Sequence, residues 1–221
     1  MLVSEKILEY EAAMLRPEGL TVLEIGGGTG NLTAKLAEVA KKLIVIERDT
    51  VLAEELKEMF EDKKNVEIIE ADFLEMQPKQ IGKIEVVAGN IPYSISSPIL
   101  FKLLDYEFER ALLCVQKEFG KRMVGKIGDE DYSRLSVMTQ YYFDPVYLKT
   151  VTKGAFRPMP AVDSAVMLLK KKKVERNEKL EKFVEKLFSH KKNTLGAALK
   201  SREFENEKQL LEYAKEKGLE E

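Results

Sequence analysis

One cysteine, one histidine and no apolar run even a dozen residues long set the first limits on this 221-residue chain. A lone thiol, Cys114, cannot form a disulfide or a thiolate metal site within the chain. Its setting, Ala111-Leu112-Leu113-Cys114-Val115, reads as a buried strand. A lone imidazole, His190, removes any His-rich zinc site and argues against a Ser-His-Asp hydrolase, so no metal is expected. With no run long enough for a membrane span or a secretory core, a soluble cytoplasmic protein without a membrane partner is expected. Net charge is also scarce, at −2, but it is unevenly spread. Residues 170 to 202 hold ten Lys and two Arg against four Glu, which leaves an acidic remainder. A basic stripe on an acidic body is an electrostatic footprint for a polyanion, although a Lys-rich run is also a common solvated helix face.

What is present reads as an α/β protein with a small appendage. Ser4 to Leu15 forms a leading helix that ends at Arg16-Pro17-Glu18-Gly19. Strand patterns then alternate with helical ones: Leu20–Ile25, Leu43–Glu47, Val66–Glu70, Ile84–Ala88 and Ala111–Val115 as strands, Leu32–Ala40 and Val51–Phe60 as helices. Such alternation predicts right-handed βαβ units and a parallel sheet. Val146–Val151 and Ala165–Leu169 are joined by a loop too short for a crossover helix, so they should pair antiparallel at one edge. Only helical patterns follow Asn177, with Phe183, Leu187 and Phe188 on one face. The expected division is residues 1–173 as the sheet domain and 174–221 as a small helical domain.

Glu24-Ile25-Gly26-Gly27-Gly28-Thr29-Gly30 closes the first strand and opens the next helix, where glycines let a ligand lie against bare main chain. A dinucleotide loop would read G-x-G-x-x-G/A, but the spacing of Gly26, Gly28 and Gly30 is G-x-G-x-G. A cofactor without a pyrophosphate, S-adenosylmethionine, fits that spacing. Glu47 ends the second strand 21 residues after Gly26, where a carboxylate can accept from both ribose hydroxyls. Asp72, after the third strand, can accept from the cofactor's adenine amine. Asn90-Ile91-Pro92-Tyr93 follows the fourth strand. The lone pair of an aromatic amine is delocalised into its ring and must be drawn out. An Asn oxygen and a carbonyl just before Pro92 can accept its two N–H bonds, while Tyr93 stacks on the flipped base.

With these motifs the chain resembles the ribosomal RNA adenine dimethyltransferases, the KsgA family, over nearly its whole length. Further matching pieces are Pro92 to Pro98, Gln116 to Phe119 with Lys121 to Val124, Asp131 to Val137, and Phe188 to Thr194. Phe156-Arg157-Pro158-Met159-Pro160-Ala161-Val162-Asp163-Ser164 is similar to the family's F-x-P-x-P-x-V-x-S loop. The resemblance implies a Rossmann-like class I methyltransferase sheet and S-adenosylmethionine contacts at Leu2, Gly26, Glu47, Asp72 and Asn90. It implies Phe156 as a second aromatic face of the target pocket, which taken alone reads equally well as a core plug. It also implies two methyl transfers to N6 of each of two adjacent adenosines near the 3′ end of small-subunit, 16S-type rRNA during ribosome assembly. RNA contact is expected from Lys121, Arg122, Lys126, Lys191 and Lys192, by a monomer.

Two departures carry expectations. The family begins with a basic segment ending in a G-Q-x-F-L-type motif, whereas here Met1-Leu2-Val3 falls where F-L should be. A segment that covers the cofactor is therefore expected to precede Met1, with weaker cofactor binding in its absence. The helical part after about residue 175 is shorter than usual, which should weaken ribosome docking. Rival readings are a large-subunit rRNA adenine N6-methyltransferase and a non-catalytic ribosome assembly factor. The Phe156–Ser164 loop and weakly basic N-terminal half favour the small-subunit enzyme. Intact Glu47, Asp72, Asn90 and Tyr93 favour catalysis. A DNA adenine methyltransferase would carry D-P-P-Y or N-P-P-Y, and an NAD-dependent oxidoreductase fails on the glycine spacing.

Overall fold

The computed structural model describes residues 1–189; His190, Lys191 and Lys192 lie outside the described residues. Its elements begin with α1 (Glu5–Leu15), β1 (Thr21–Ile25), α2 (Asn31–Ala37), β2 (Lys42–Glu47), α3 (Thr50–Met59) and β3 (Val66–Glu70). They continue with α4 (Pro78–Ile81), β4 (Val86–Asn90), α5 (Ser96–Lys102), β5 (Arg110–Gln116), α6 (Lys117–Val124) and α7 (Arg134–Tyr142). Last come β6 (Phe143–Val151), β7 (Ser164–Lys171) and α8 (Glu178–Ser189).

The strands form one seven-stranded sheet in the order β3-β2-β1-β4-β5-β7-β6. Leu23 lies opposite Ile44 on one side and Val87 on the other, and the first five strands all run parallel. Helices cover both faces, which is why β1, β2 and β5 are nearly continuous apolar runs. Alternate residues feed two cores. Leu23, Ile25, Ile44 and Leu113 belong to one; Val22, Val45, Leu112 and Cys114 join α1 and α2 in the other. The chain reverses its direction of winding between β1 and β4, and a crevice opens there at the carboxyl ends of the strands.

The two late strands do pair antiparallel at one edge, as the sequence predicts. β7 is the reversed strand and is inserted between β5 and β6, pairing antiparallel with both, so the outermost strand again runs with the sheet. The helix α1 is held by Ile7, Leu8 and Leu15 and by Arg110, whose guanidinium donates to the carbonyls of Leu15 and Arg16 at 2.8 Å each. Those two carbonyls belong to the helix end that lacks intrahelical partners. Beyond β7, α8 lies against α7: Val184 is buried, and the Tyr142 hydroxyl donates to Glu181 at 2.9 Å. Among the described residues no helix is long and apolar enough to cross a membrane.

Candidate active site

The crevice holds a cleft of about 300 Å³ lined by Leu2, Gly26, Gly28, Asn90, Pro92, Tyr93 and Phe156, all expected there from the sequence. Gly28 takes φ +56, a left-handed conformation that turns the loop so tightly that a Cβ would lie 2.5 Å from the Met1 sulfur. Gly30 has another role. It precedes α2 at φ +78, and a Cβ there would press on Met59 and Leu56 of α3, so it permits helix packing rather than lining the cleft.

Two aromatic groups are fixed by distant chain. The Tyr93 hydroxyl hydrogen-bonds with Ser164 Oγ at 2.6 Å. Phe156 forms an isolated bridge with Leu2, and the Val3 N–H donates to the Ala155 carbonyl at 2.9 Å, so the first residues lie as a short strip beside the cleft. Asn31 reinforces that strip by donating from Nδ2 to the Leu2 carbonyl at 2.8 Å. Phe156 is only 8% exposed, so its ring is both core plug and cleft wall.

The polar centre of the site is built from three strands and α1. Asn90 ends β4 and pairs in register with Cys114 of β5, while Glu24 lies on the neighbouring β1. Strand alternation puts their side chains on the face that α1 covers. Asn90 Nδ2 donates to Glu11 Oε2 at 3.2 Å, and Asn90 Oδ1 is buried without a partner among the described residues. Glu11 Oε1 and Glu24 Oε2 are likewise buried and unpartnered among them. Sequence reasoning assigned neither glutamate a role. Their signals are a charge on the Ile7, Leu8, Leu15 face of α1 and a charge inside an otherwise apolar strand.

Burial pushes both carboxyl groups up to about 8; the Asn90 and Cys114 side chains partly relieve Glu11, and the Thr33 hydroxyl partly relieves Glu24. A group protonated up to about pH 8 when folded, against about 4.5 when free, binds more protons folded than unfolded between those values. Stability should therefore be greatest below that window and fall as pH rises through it, by up to about 1.4 kcal/mol per pH unit for each carboxyl. Thermal unfolding of the ligand-free chain from pH 5 to 8.5 should show this fall, and Glu24→Gln should flatten it. An equal fall in the variant would remove Glu24 from the account.

Glu47 and Asp72 stand at the ends of β2 and β3 but do not line the cleft. Glu47 Oε2 accepts from the Gly28 N–H and Oε1 from the Asp49 N–H, both at 2.9 Å, so the carboxylate braces the glycine loop. Asp72 accepts from the Leu74 N–H at 2.9 Å and faces Arg48 at 3.4 Å. Lys121 and Arg122 sit on α6 in a second cleft with Arg134, where Glu118, Asp131 and Glu185 dilute the positive charge. Lys126 is exposed in the loop after α6. No cluster of three or more metal-ligating side chains occurs among the described residues.

A cleft with an unpartnered carboxyl oxygen on Glu24, an orphan amide oxygen on Asn90 and bare glycine backbone suits a donor-bearing ligand and amine. Residues 2–219 match the family model described as ribosomal RNA adenine dimethylase. A protein of Thermococcus sibiricus named "Probable ribosomal RNA small subunit methyltransferase A" is 46% identical over 81% of this chain and 65% of its own length. One of the same name from Methanococcus maripaludis is 45% identical over 89% and 76%. The chain thus spans about two thirds to three quarters of these relatives. Among solved structures, a dimethyladenosine transferase from Plasmodium falciparum superposes with a TM-score of 0.88 at 31% identity, covering 100% of this chain and 90% of the other. The 23S rRNA methyltransferase ErmE gives 0.75 at 32%, covering 91% and 84%. The chain belongs to the ribosomal RNA adenine dimethylase family.

Proposed function

We propose that this chain is an S-adenosylmethionine-dependent enzyme that dimethylates N6 of two adjacent adenosines near the 3′ end of small-subunit rRNA during ribosome biogenesis. The observation that carries the reading is Asn90 Oδ1, a buried acceptor without a partner among the described residues, in a cleft also lined by Tyr93 and Phe156. The cofactor supplies the electrophilic methyl group. Gly26, Gly28 and Leu2 would hold it in the cleft, Glu47 and Asp72 would extend the site toward its ribose and adenine, and Glu24 would face its positive charge. Asn90 Oδ1 and the carbonyl of Ile91, set by Pro92, accept the two N–H bonds of the target amine and draw its lone pair out of the ring. Tyr93 and Phe156 hold the extruded base, with the Tyr93 ring anchored through Ser164.

Methyl transfer from labelled cofactor to isolated ribosomal subunits tests the reading. Dimethyladenosine in small-subunit RNA is expected. Label only in large-subunit RNA would favour the function named for ErmE, and cofactor binding without transfer would favour an assembly factor.

The same proposal includes residues 1–173 as the catalytic domain, 174–221 as a helical docking domain, and a monomer working in the cytoplasm. Lys121, Arg122 and Lys126 would contact rRNA phosphates together with Lys191 and Lys192. Each such contact releases condensed counterions, so removing one should flatten the salt dependence of subunit binding by about 0.7 to 0.9 in log–log slope. Filter binding of the Lys121→Ala, Lys126→Ala variant across salt concentrations reads this. An unchanged slope would move the docking surface elsewhere.

A further inference from the structure

We propose that Glu11 is the positioning residue that fixes which end of the Asn90 amide faces the target amine; the inference rests on the methyl-transfer reading above. An Asn amide is nearly symmetric in shape, so packing alone cannot tell its oxygen from its nitrogen. The chemistry needs the oxygen outward. In the structure the nitrogen points back to Glu11 Oε2 at 3.2 Å, and the oxygen is left as the unpartnered acceptor. Above about pH 8, where Glu11 is ionised, turning the amide over would set Asn90 Oδ1 against a carboxylate oxygen, acceptor against acceptor. A hydrogen bond to a charged group favours one orientation over the other by roughly 10- to 150-fold.

The location of Glu11 supports a functional reading over a structural one. It is 1% exposed on the apolar face of α1, between Leu8 and Leu15, and its second oxygen has no partner among the described residues. Its side chain is faced by Asn90 of β4 and by the Cys114 thiol of β5, while Glu24 of β1 is near enough to repel it. An orphan oxygen on a buried carboxyl destabilises a fold, and an apolar side chain of similar length would serve α1 better. Above about pH 8, where Glu11 ionises, the carboxylate also places negative charge behind the amide. That makes Asn90 Oδ1 a stronger acceptor and favours positive charge developing on the amine.

The variants Glu11→Met and Glu11→Gln separate these roles. For Glu11→Met assayed at pH 8.5, above the Glu11 pKa of about 8, kcat of methyl transfer to small subunits should fall roughly 10-fold or more. Cofactor affinity should stay within about twofold, and Tm at pH 8.5 should be equal or higher, because a buried carboxyl with an orphan oxygen is removed. Glu11→Gln can still accept from Asn90 through its own carbonyl, although it can also turn its amino end, so it should lose less than Glu11→Met. A readout independent of turnover comes from labelling the six asparagines with ¹⁵N. The Asn90 side-chain N–H signals should exchange slowly in the parent protein and quickly in Glu11→Met. A lowered Tm with parallel loss of affinity and rate would make Glu11 structural and overturn the proposal. Unchanged kcat or unchanged Asn90 exchange in Glu11→Met would do the same. If the parent protein transfers no methyl group, the functional reading fails, while amide exchange and Tm still report on the orientation of Asn90.

Discussion

Replacing Asn90 with Ala is expected to lower methyl transfer by about 10²- to 10³-fold, the typical cost of losing one preorganised contact to developing charge. Free-cofactor affinity should change little. The basis of that split is where the two ends of the amide go. Nδ2 is committed to Glu11, and Oδ1 has no partner among the described residues, which leaves it free, on the proposed reading, for the reacting amine. Removing the side chain also takes the Asn90 hydrogen bond from Glu11, yet that carboxyl is protonated up to about pH 8, which limits the damage to folding at neutral pH. Single-turnover transfer to small subunits measures the rate, and calorimetry with cofactor alone measures affinity. Equal losses in both would make Asn90 chiefly a cofactor ligand and displace it from the chemistry.

The parts of this site that were legible in the sequence are those whose signal is local. The glycine loop, the N-I-P-Y turn and the alternation of strand with helix are each written within a few consecutive residues, because turn chemistry and side-chain periodicity are short-range properties. Pairings across long sequence separations leave no such trace. Glu11 and Asn90 lie 79 residues apart, and Tyr93 and Ser164 lie 71 apart. Only the fold brings them together. The charge of Glu11 on an apolar helix face was visible, but its partner was not. The insertion of β7 between β5 and β6 was hidden for a related reason: an antiparallel pair at an edge can be added in either order without changing its hydrophobic pattern. Glu47 illustrates a third limit. Its place at the end of β2 was readable, whereas its hydrogen bonds to Gly28 and Asp49, which make it part of the loop's own support, were not.

That support sharpens the expectation for Glu47→Ala. With both carboxylate oxygens already accepting backbone N–H groups at 2.9 Å, the side chain holds the glycine loop closed over β2 before any ligand arrives. A carboxylate has further lone pairs to offer, so ribose hydroxyls can be accepted without releasing the loop. Removal should cost about 1 to 3 kcal/mol in cofactor binding, or roughly 5- to 150-fold, as ribose contacts and loop preorganisation are lost together. Glu47→Gln keeps one acceptor oxygen but sets an amino group against a backbone N–H, so it should recover only part of the loss. Calorimetry on the three proteins reads affinity, and amide exchange at Gly28 reads the loop. If Gly28 exchange rises in Glu47→Ala while cofactor affinity stays unchanged, Glu47 supports the loop alone. The cofactor would then be confined to the cleft between Gly26 and Phe156, away from the ends of β2 and β3.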